Sequence, residues 1–180
     1  FEKEALISPQ GEYKFDQIEN IPGRVIQLST VIGGIRHTSD VLHDPVINAQ
    51  GEVDLPIVIK ATSIDNSALF AERMHVFYDF SIEGIVQIVQ LFVVNNPTDK
   101  IIVPDSMNNP VVNYPLPAGY TNLQFEGGEL GKRYIQTQEG FGDLAPIEPN
   151  SSVQVIYAYE LPYTKSLDMV LTMPMAVDAS

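Results

Sequence analysis

Arg73-Met74-His75-Val76-Phe77-Tyr78-Asp79-Phe80-Ser81-Ile82-Glu83 is the stretch whose reading decides the fold class. Met74, Val76, Tyr78, Phe80 and Ile82 fall on one side of an extended chain. Arg73, His75, Asp79, Ser81 and Glu83 fall on the other, with Phe77 the one exception. Successive side chains of a strand point to opposite faces, so this alternation predicts a half-buried strand with one wet face. Val153, Val155, Tyr157, Tyr159 and Leu161 repeat the pattern against Gln154, Ala158 and Glu160. Ile156, on the polar side, predicts that this second strand is covered on both faces at its centre.

Working outward from these two strands, residues 25–32 and 35–39 flank Gly33-Gly34, a pair that permits positive φ at both central positions of a tight hairpin turn. Further runs rich in β-branched and aromatic residues cover 13–18, 54–63, 122–125, 132–138 and 167–173. Asn95-Asn96-Pro97, Asn108-Asn109-Pro110, Pro117-Ala118-Gly119, Gly127-Gly128 and Pro149-Asn150 punctuate them as turns. Only 67–74 has helical spacing, for at most two turns. Many short strands and no long helix predict an all-β, antiparallel β-sandwich. The run 85–94 has neither charge nor proline. It reads as a central strand buried on both faces, or alternatively as an edge strand held against another copy or a neighbouring domain, since such a run on an exposed edge invites aggregation.

Composition narrows the function classes. Ten basic residues against 23 acidic ones give a formal charge of −13, which opposes binding to nucleic-acid phosphates. Zero cysteine excludes disulfides, thiolate metal sites and a cysteine nucleophile. The longest apolar stretch, 85–94, is too short to cross a bilayer as a helix, so no membrane insertion is expected of this segment. The chain opens on Phe1 without an apolar leader and reads as a processed or excised piece. A module boundary is expected near 44–54, dividing 1–48 from 49–180. The first part supplies three or four strands, too few to close a sandwich alone, so upstream strands are expected to complete it.

Gly11-Glu12-Tyr13-Lys14-Phe15-Asp16-Gln17-Ile18, followed by Pro22-Gly23-Arg24-Val25 and the Gly33-Gly34 hairpin, resembles the second half of a Cna-B or carboxypeptidase-regulatory-like module. That resemblance implies a partial transthyretin-like sandwich over 1–48, of a kind found in tandem on bacterial surface proteins. Val93-Val94-Asn95-Asn96, Leu116-Pro117-Ala118-Gly119 and Ile147-Glu148-Pro149-Asn150-Ser151-Ser152 are similar in order to immunoglobulin-like repeats of bacterial extracellular proteins. This implies an immunoglobulin-like sandwich of about eight or nine strands over 49–180. Asn150 stands where those repeats have glycine, and asparagine also tolerates a left-handed turn.

Candidate chemistry is sparse. His37, Asp40, His43 and Asp44 offer nitrogen and oxygen donors within one short segment, but mixed loop residues read as solvated charge rather than a metal site. Asp40, Asp44 and Asp54 near the boundary are the candidates for an inter-module calcium ion, with solvated charge again the default. His75 reads as a surface residue. No nucleophile elbow, zinc-binding helix or phosphate loop occurs. Tyr114, Tyr120, Tyr134, Tyr157, Tyr159 and Tyr163 are the candidates for a sugar-stacking platform, although Tyr157 and Tyr159 share the inward parity of their strand. Leu161-Pro162-Tyr163-Thr164-Lys165 reads as a strand end and proline turn. Asn150-Ser151-Ser152 is a formal glycosylation sequon. Lys14 and Lys60 are the lysines the resemblance marks for an isopeptide bond, with no identifiable partner. The expectation is a non-enzymatic module of an extracellular bacterial surface protein, with no catalytic, cofactor or metal residues. It would associate with other protein modules or copies of itself through strand edges, with a carbohydrate-binding module as the alternative and, behind it, a glycan-acting hydrolase.

Overall fold

The computed structural model describes residues 1–19, 21–166 and 168–177, and among these there is no helix. The chain separates into two compact units, Phe1–Ile59 and Lys60–Ser180. Residues 49–59 thus group with the first.

The first unit carries β1 (Val25–Ile26), β2 (Ser29–Ile32), β3 (Ile35–Thr38) and β4 (Leu42–His43). β2 and β3 form the expected hairpin, with Gly33 and Gly34 at φ 59° and 82° between the paired Ile32 and Ile35. The single strand expected over 25–32 is instead two. Between them, Leu28 donates its N–H to Ser39 Oγ and accepts from the Ser39 N–H, each at 2.9 Å, and these bonds bend the chain. β1 then pairs with β4. No strand forms over 13–18. Gln17 takes a left-handed φ of 57°, and the Tyr13 hydroxyl donates to the Leu55 carbonyl oxygen.

The second unit contains β5 (Thr62–Ser63), β6 (Phe70–Ile82), β7 (Ile85–Asn96), β8 (Ile101–Ile102), β9 (Val112–Pro115), β10 (Thr121–Glu126), β11 (Tyr134–Gln136), β12 (Gly140–Asp143), β13 (Ser151–Pro162) and β14 (Ala176–Val177). Strand is present over only the last two residues of the expected run 54–63. The helical spacing over 67–74 yields to β6, because pairing of Phe70 with Asn95 and Ala71 with Val94 outweighs a weak local preference. Residues 168–173 form no strand, and Leu167, the first residue of that expected run, lies outside the described residues.

A five-stranded sheet, ordered β10-β13-β7-β6-β14, faces a three-stranded sheet, β11-β12-β9. Their meeting surface is aromatic. Phe92 lies 5.5 Å from Tyr114, Tyr157 lies 4.7 Å from Phe141, and Phe125 stacks on Tyr134 at 4.1 Å, centroid to centroid. Each contact joins one sheet to the other, and such pairs contribute about 1 kcal/mol each beyond the area they bury. This is the β-sandwich that the period-two pattern predicts.

β7 is the central strand, flanked by β13 and β6. Val86, Ile88, Gln90, Phe92, Val94 and Asn96 are buried on its inner face, whereas Ile85, Val89, Leu91 and Val93 on its other face are only half-buried. The expected burial on both faces therefore holds fully for one. β12 escapes a sequence reading because two of its four residues are glycine. A Cβ on Gly140 would lie 2.2 Å from the Tyr114 carbonyl oxygen, and one on Gly142 would lie 2.4 Å from Pro110 Cγ. Glycine is what lets this strand pass between its neighbours.

Candidate interaction surface

β6 is the strand on which the fold class was read, and its environment changes along its length. β14 pairs with it only at Phe70 and Ala71. From Glu72 to Ile82 its outer edge has no strand beside it among the described residues, although β7 pairs along its other edge. Two irregularities in the β6–β7 register, between Ala71 and Arg73 and between Asp79 and Ile82, bracket a regular ladder from Arg73↔Val93 to Asp79↔Gln87. Each inserts one residue on β6 and so exchanges the faces of the residues beyond it.

The expected buried face of this strand holds for only part of its length. Met74 and Val76 are half-buried on the inner side as expected. Tyr78, Phe80 and Ile82 are instead 48%, 55% and 56% exposed. Three strands opposite five cannot cover the outermost long strand. The second bulge also pairs Ile82 with Ile85, on the outer face of the sheet. Phe77, 58% exposed, joins the outer face in a row with Val89 and Ala158. The adjacent row runs His75, Leu91 and Ile156. Apolar side chains therefore cross the solvent face of three strands. At the hairpin end, Tyr78, Phe80, Tyr163, Lys165, Ser166 and Met169 line an open depression of about 470 Å³. Phe80 and Tyr163 meet there edge to face at 5.5 Å.

The residues singled out from sequence are mostly placed elsewhere. His37 is buried in β3, which corrects its reading as a solvated loop residue, while Asp40, His43 and Asp44 are exposed. Among the described residues, no three His, Cys, Asp or Glu side chains form a metal-binding group, so neither His37, Asp40, His43 and Asp44 nor Asp40, Asp44 and Asp54 are brought together as ligands. Lys14 pairs with exposed Asp16 at 3.2 Å, and Lys60 with Glu148 at 2.9 Å. Asn150 is exposed in a turn with φ 50°, the left-handed conformation anticipated for it. β13 ends at Pro162, and the Tyr163 N–H donates to the Gly84 carbonyl at 2.9 Å, closing the expected turn.

The tyrosine platform does not form. Tyr114, Tyr134, Tyr157 and Tyr159 are each at most 2% exposed and belong to the core, leaving Tyr120 and Tyr163 half-buried. Burial pushes the phenol pKa of Tyr157 up, with the neighbouring Tyr159 adding to the effect, and Tyr159 itself is pushed up to about 12. Burial also raises Tyr114 and Tyr134, with Asp143 contributing to both. The hydroxyls of Tyr114 and Tyr134 are buried with no hydrogen-bond partner among the described residues.

Three buried polar arrangements were not read from sequence. Gln90 accepts from the Tyr157 hydroxyl and donates to the Tyr159 hydroxyl at 3.1 Å, inside the sandwich. Its inward parity within an apolar run was the available signal. Asn96, fully buried, donates to the carbonyls of Lys100, Ile147 and Glu148 and accepts from Thr98, binding two loops to the end of β7. Asp143 accepts a forked pair of bonds from Arg133, the shortest 2.7 Å, and a third from the Ala145 N–H at 2.9 Å. Arg133 also lies 4.9 Å from the centroid of the Tyr134 ring. These groups satisfy one another inside the fold. Among the large apolar side chains that face outward, those of β6 adjoin the sheet's solvent face and the hairpin end.

Comparison of the chain with protein-family models, with curated proteins and with solved structures finds no match in any of the three.

Proposed function

We propose that the chain is a non-enzymatic structural module of an extracellular bacterial surface protein, working by association through sheet edges and exposed sheet surface. One observation carries this reading: the outer edge of β6 from Glu72 to Ile82 has no strand beside it among the described residues. An unpaired strand edge presents a row of N–H and C=O groups, which is the template that β-strand addition uses. Phe77, Tyr78, Phe80 and Ile82, all about half exposed, add apolar surface along that edge. Arg73 and Asp79 are the charges on its regular part, few for a strand kept from pairing. The extracellular setting rests on the resemblance of the 11–25 segment to Cna-B-type modules, of which the Gly33-Gly34 hairpin forms and a strand over 13–18 does not. A net charge of −13 and the absence of cysteine are compatible with it.

Glycan binding is the competing reading, and it loses four of its six candidate tyrosines to the core. Light scattering on the chain across a wide concentration range, with and without calcium, tests the assembly reading. A mass that rises with concentration is the expected result. A strict monomer in both buffers overturns it, and quenching of tyrosine fluorescence by an oligosaccharide then favours the glycan reading.

A further inference from the structure

The edge of β6 beside which no strand lies among the described residues carries a symmetric arrangement of charge. Its regular ladder runs from Arg73 to Asp79 between two bulges, so its central residue is Val76. Within it the single basic and single acidic side chains, Arg73 and Asp79, stand at opposite ends, three residues either side of Val76. Both lie on the outer face, opposite Val93 and Gln87 of β7.

We infer that the partner of this edge is a second copy of the same chain, added antiparallel about a two-fold axis at Val76. The inference rests on the assembly reading above and adds to it the partner and the register. A two-fold axis perpendicular to the sheet keeps each face on its own side and pairs a residue with its mirror position about the centre. Val76 then meets Val76 of the other copy, His75 meets Phe77, Met74 meets Tyr78, and Arg73 meets Asp79 at both ends. The charge match selects this register. Moving the axis by one residue to His75 sets Arg73 opposite Phe77, and moving it to Phe77 sets Arg73 opposite Ser81. In either case Arg73 and Asp79 no longer face each other. Opposite charges placed directly across a ladder stabilise it, and like charges destabilise it.

The other pairs also suit their positions. Met74 against Tyr78 is a sulfur–aromatic contact, and His75 against Phe77 continues the stacking already present within β6, where the two rings lie 6.3 Å apart. The outer rows of Phe77, Val89 and Ala158 would run on into those of the second copy. β14 occupies the edge at Phe70 and Ala71 and fixes the limit of the ladder at that end.

Charge reversal tests the register directly. Arg73→Asp and Asp79→Arg each convert two attractive cross-strand pairs into two repulsive ones, so each variant alone should self-associate at least about tenfold more weakly than the parent chain. The double variant restores both attractions and should recover association. An equimolar mixture of the two single variants should form heterodimers, because each supplies the sign the other lacks.

A second measurement avoids charge altogether. The chain has no cysteine, so Val76→Cys introduces a unique thiol on the proposed axis. Mild oxidation should give a covalent dimer from Val76→Cys and none from Asp79→Cys. Association that is unchanged in both single reversals, or cross-linking of Asp79→Cys in place of Val76→Cys, overturns the register and leaves assembly by another surface. A parent chain that stays monomeric at every concentration overturns the assembly reading itself.

Discussion

The two units are written in the same β vocabulary and differ in what that vocabulary encloses. Among the described residues, nineteen apolar side chains are buried in the core of Lys60–Ser180, from Leu69 to Leu161. In Phe1–Ile59 the only described residues that are buried are His37 and Ser39. Both units alternate. Ile26, Leu28 and Thr30 are half-buried where their neighbours are exposed, as Met74 and Val76 are in β6. Alternation orients side chains towards one face, but burial needs a second layer to receive them. In the second unit the three-stranded sheet is that layer. In the first, strands of two to four residues pair in twos, and an isolated two-stranded ribbon is marginal in water.

The largest test of this contrast needs no mutation. In the second unit Tyr114, Tyr134, Tyr157 and Tyr159 all have raised pKa values, Tyr159 to about 12 from 10.0. The neutral phenols are favoured in the folded state, so between these values the unfolded chain binds fewer protons than the folded one. Their contribution is complete below pH 10 and is lost as the pH rises from about 10 through 12. Phenolate absorbance and circular dichroism, recorded together, should show the core tyrosines ionising only as the sheet signal collapses. If all eight tyrosines ionised near pH 10 with the sheet intact, the enclosed core described for the second unit would be wrong.

A smaller effect should separate the units by truncation. Phe141, fully buried between the sheets, should cost about 3–5 kcal/mol when changed to Ala. Val31, 59% exposed on β2, should change the denaturation midpoint by less than about 0.5 kcal/mol equivalent on the same change. Equal losses at the two positions would erase the distinction. The smallest effect lies in the hairpin of the first unit. Gly34 has φ 82° and open space where a Cβ would sit, so Gly34→Ala should cost about 1 kcal/mol through backbone strain alone. Faster amide exchange over β2 and β3 is the measurement.

The same contrast governs how far the fold was legible. Period two located β6 and β13, because long strands packed on one face must alternate, and runs rich in apolar, β-branched and aromatic residues located β7, β10 and β11. It missed β9, and it missed β12, where Gly140 and Gly142 resemble turn residues until the backbone beside Gly140 and the Pro110 ring beside Gly142 are known to press against them. It also predicted buried Phe80 and Ile82, because a bulge that exchanges the faces of a strand leaves no mark in an alternating sequence. The exposed edge was not visible as an edge. The run 85–94 reads as a central strand and is one, whereas the open edge belongs to its neighbour β6. Strand order depends on contacts distant in sequence, which composition does not record.

Gln90 settles an ambiguity that the apolar run around it creates. A strand as uniform as β7 can slide by two residues against β13 and still present aliphatic side chains to the same face, so hydrophobic burial alone leaves several alignments nearly equal in energy. The alignment with Gln90 opposite Tyr157 lets one amide serve both the Tyr157 and Tyr159 hydroxyls. A slide in either direction disrupts that sharing and leaves polar groups buried without partners, at a cost of about 1–3 kcal/mol each. With Asn96 at the end of the strand, the amide works as an index mark on a mostly aliphatic rule: it adds little net attraction, and it removes translational freedom that would let the chain settle one notch out of place.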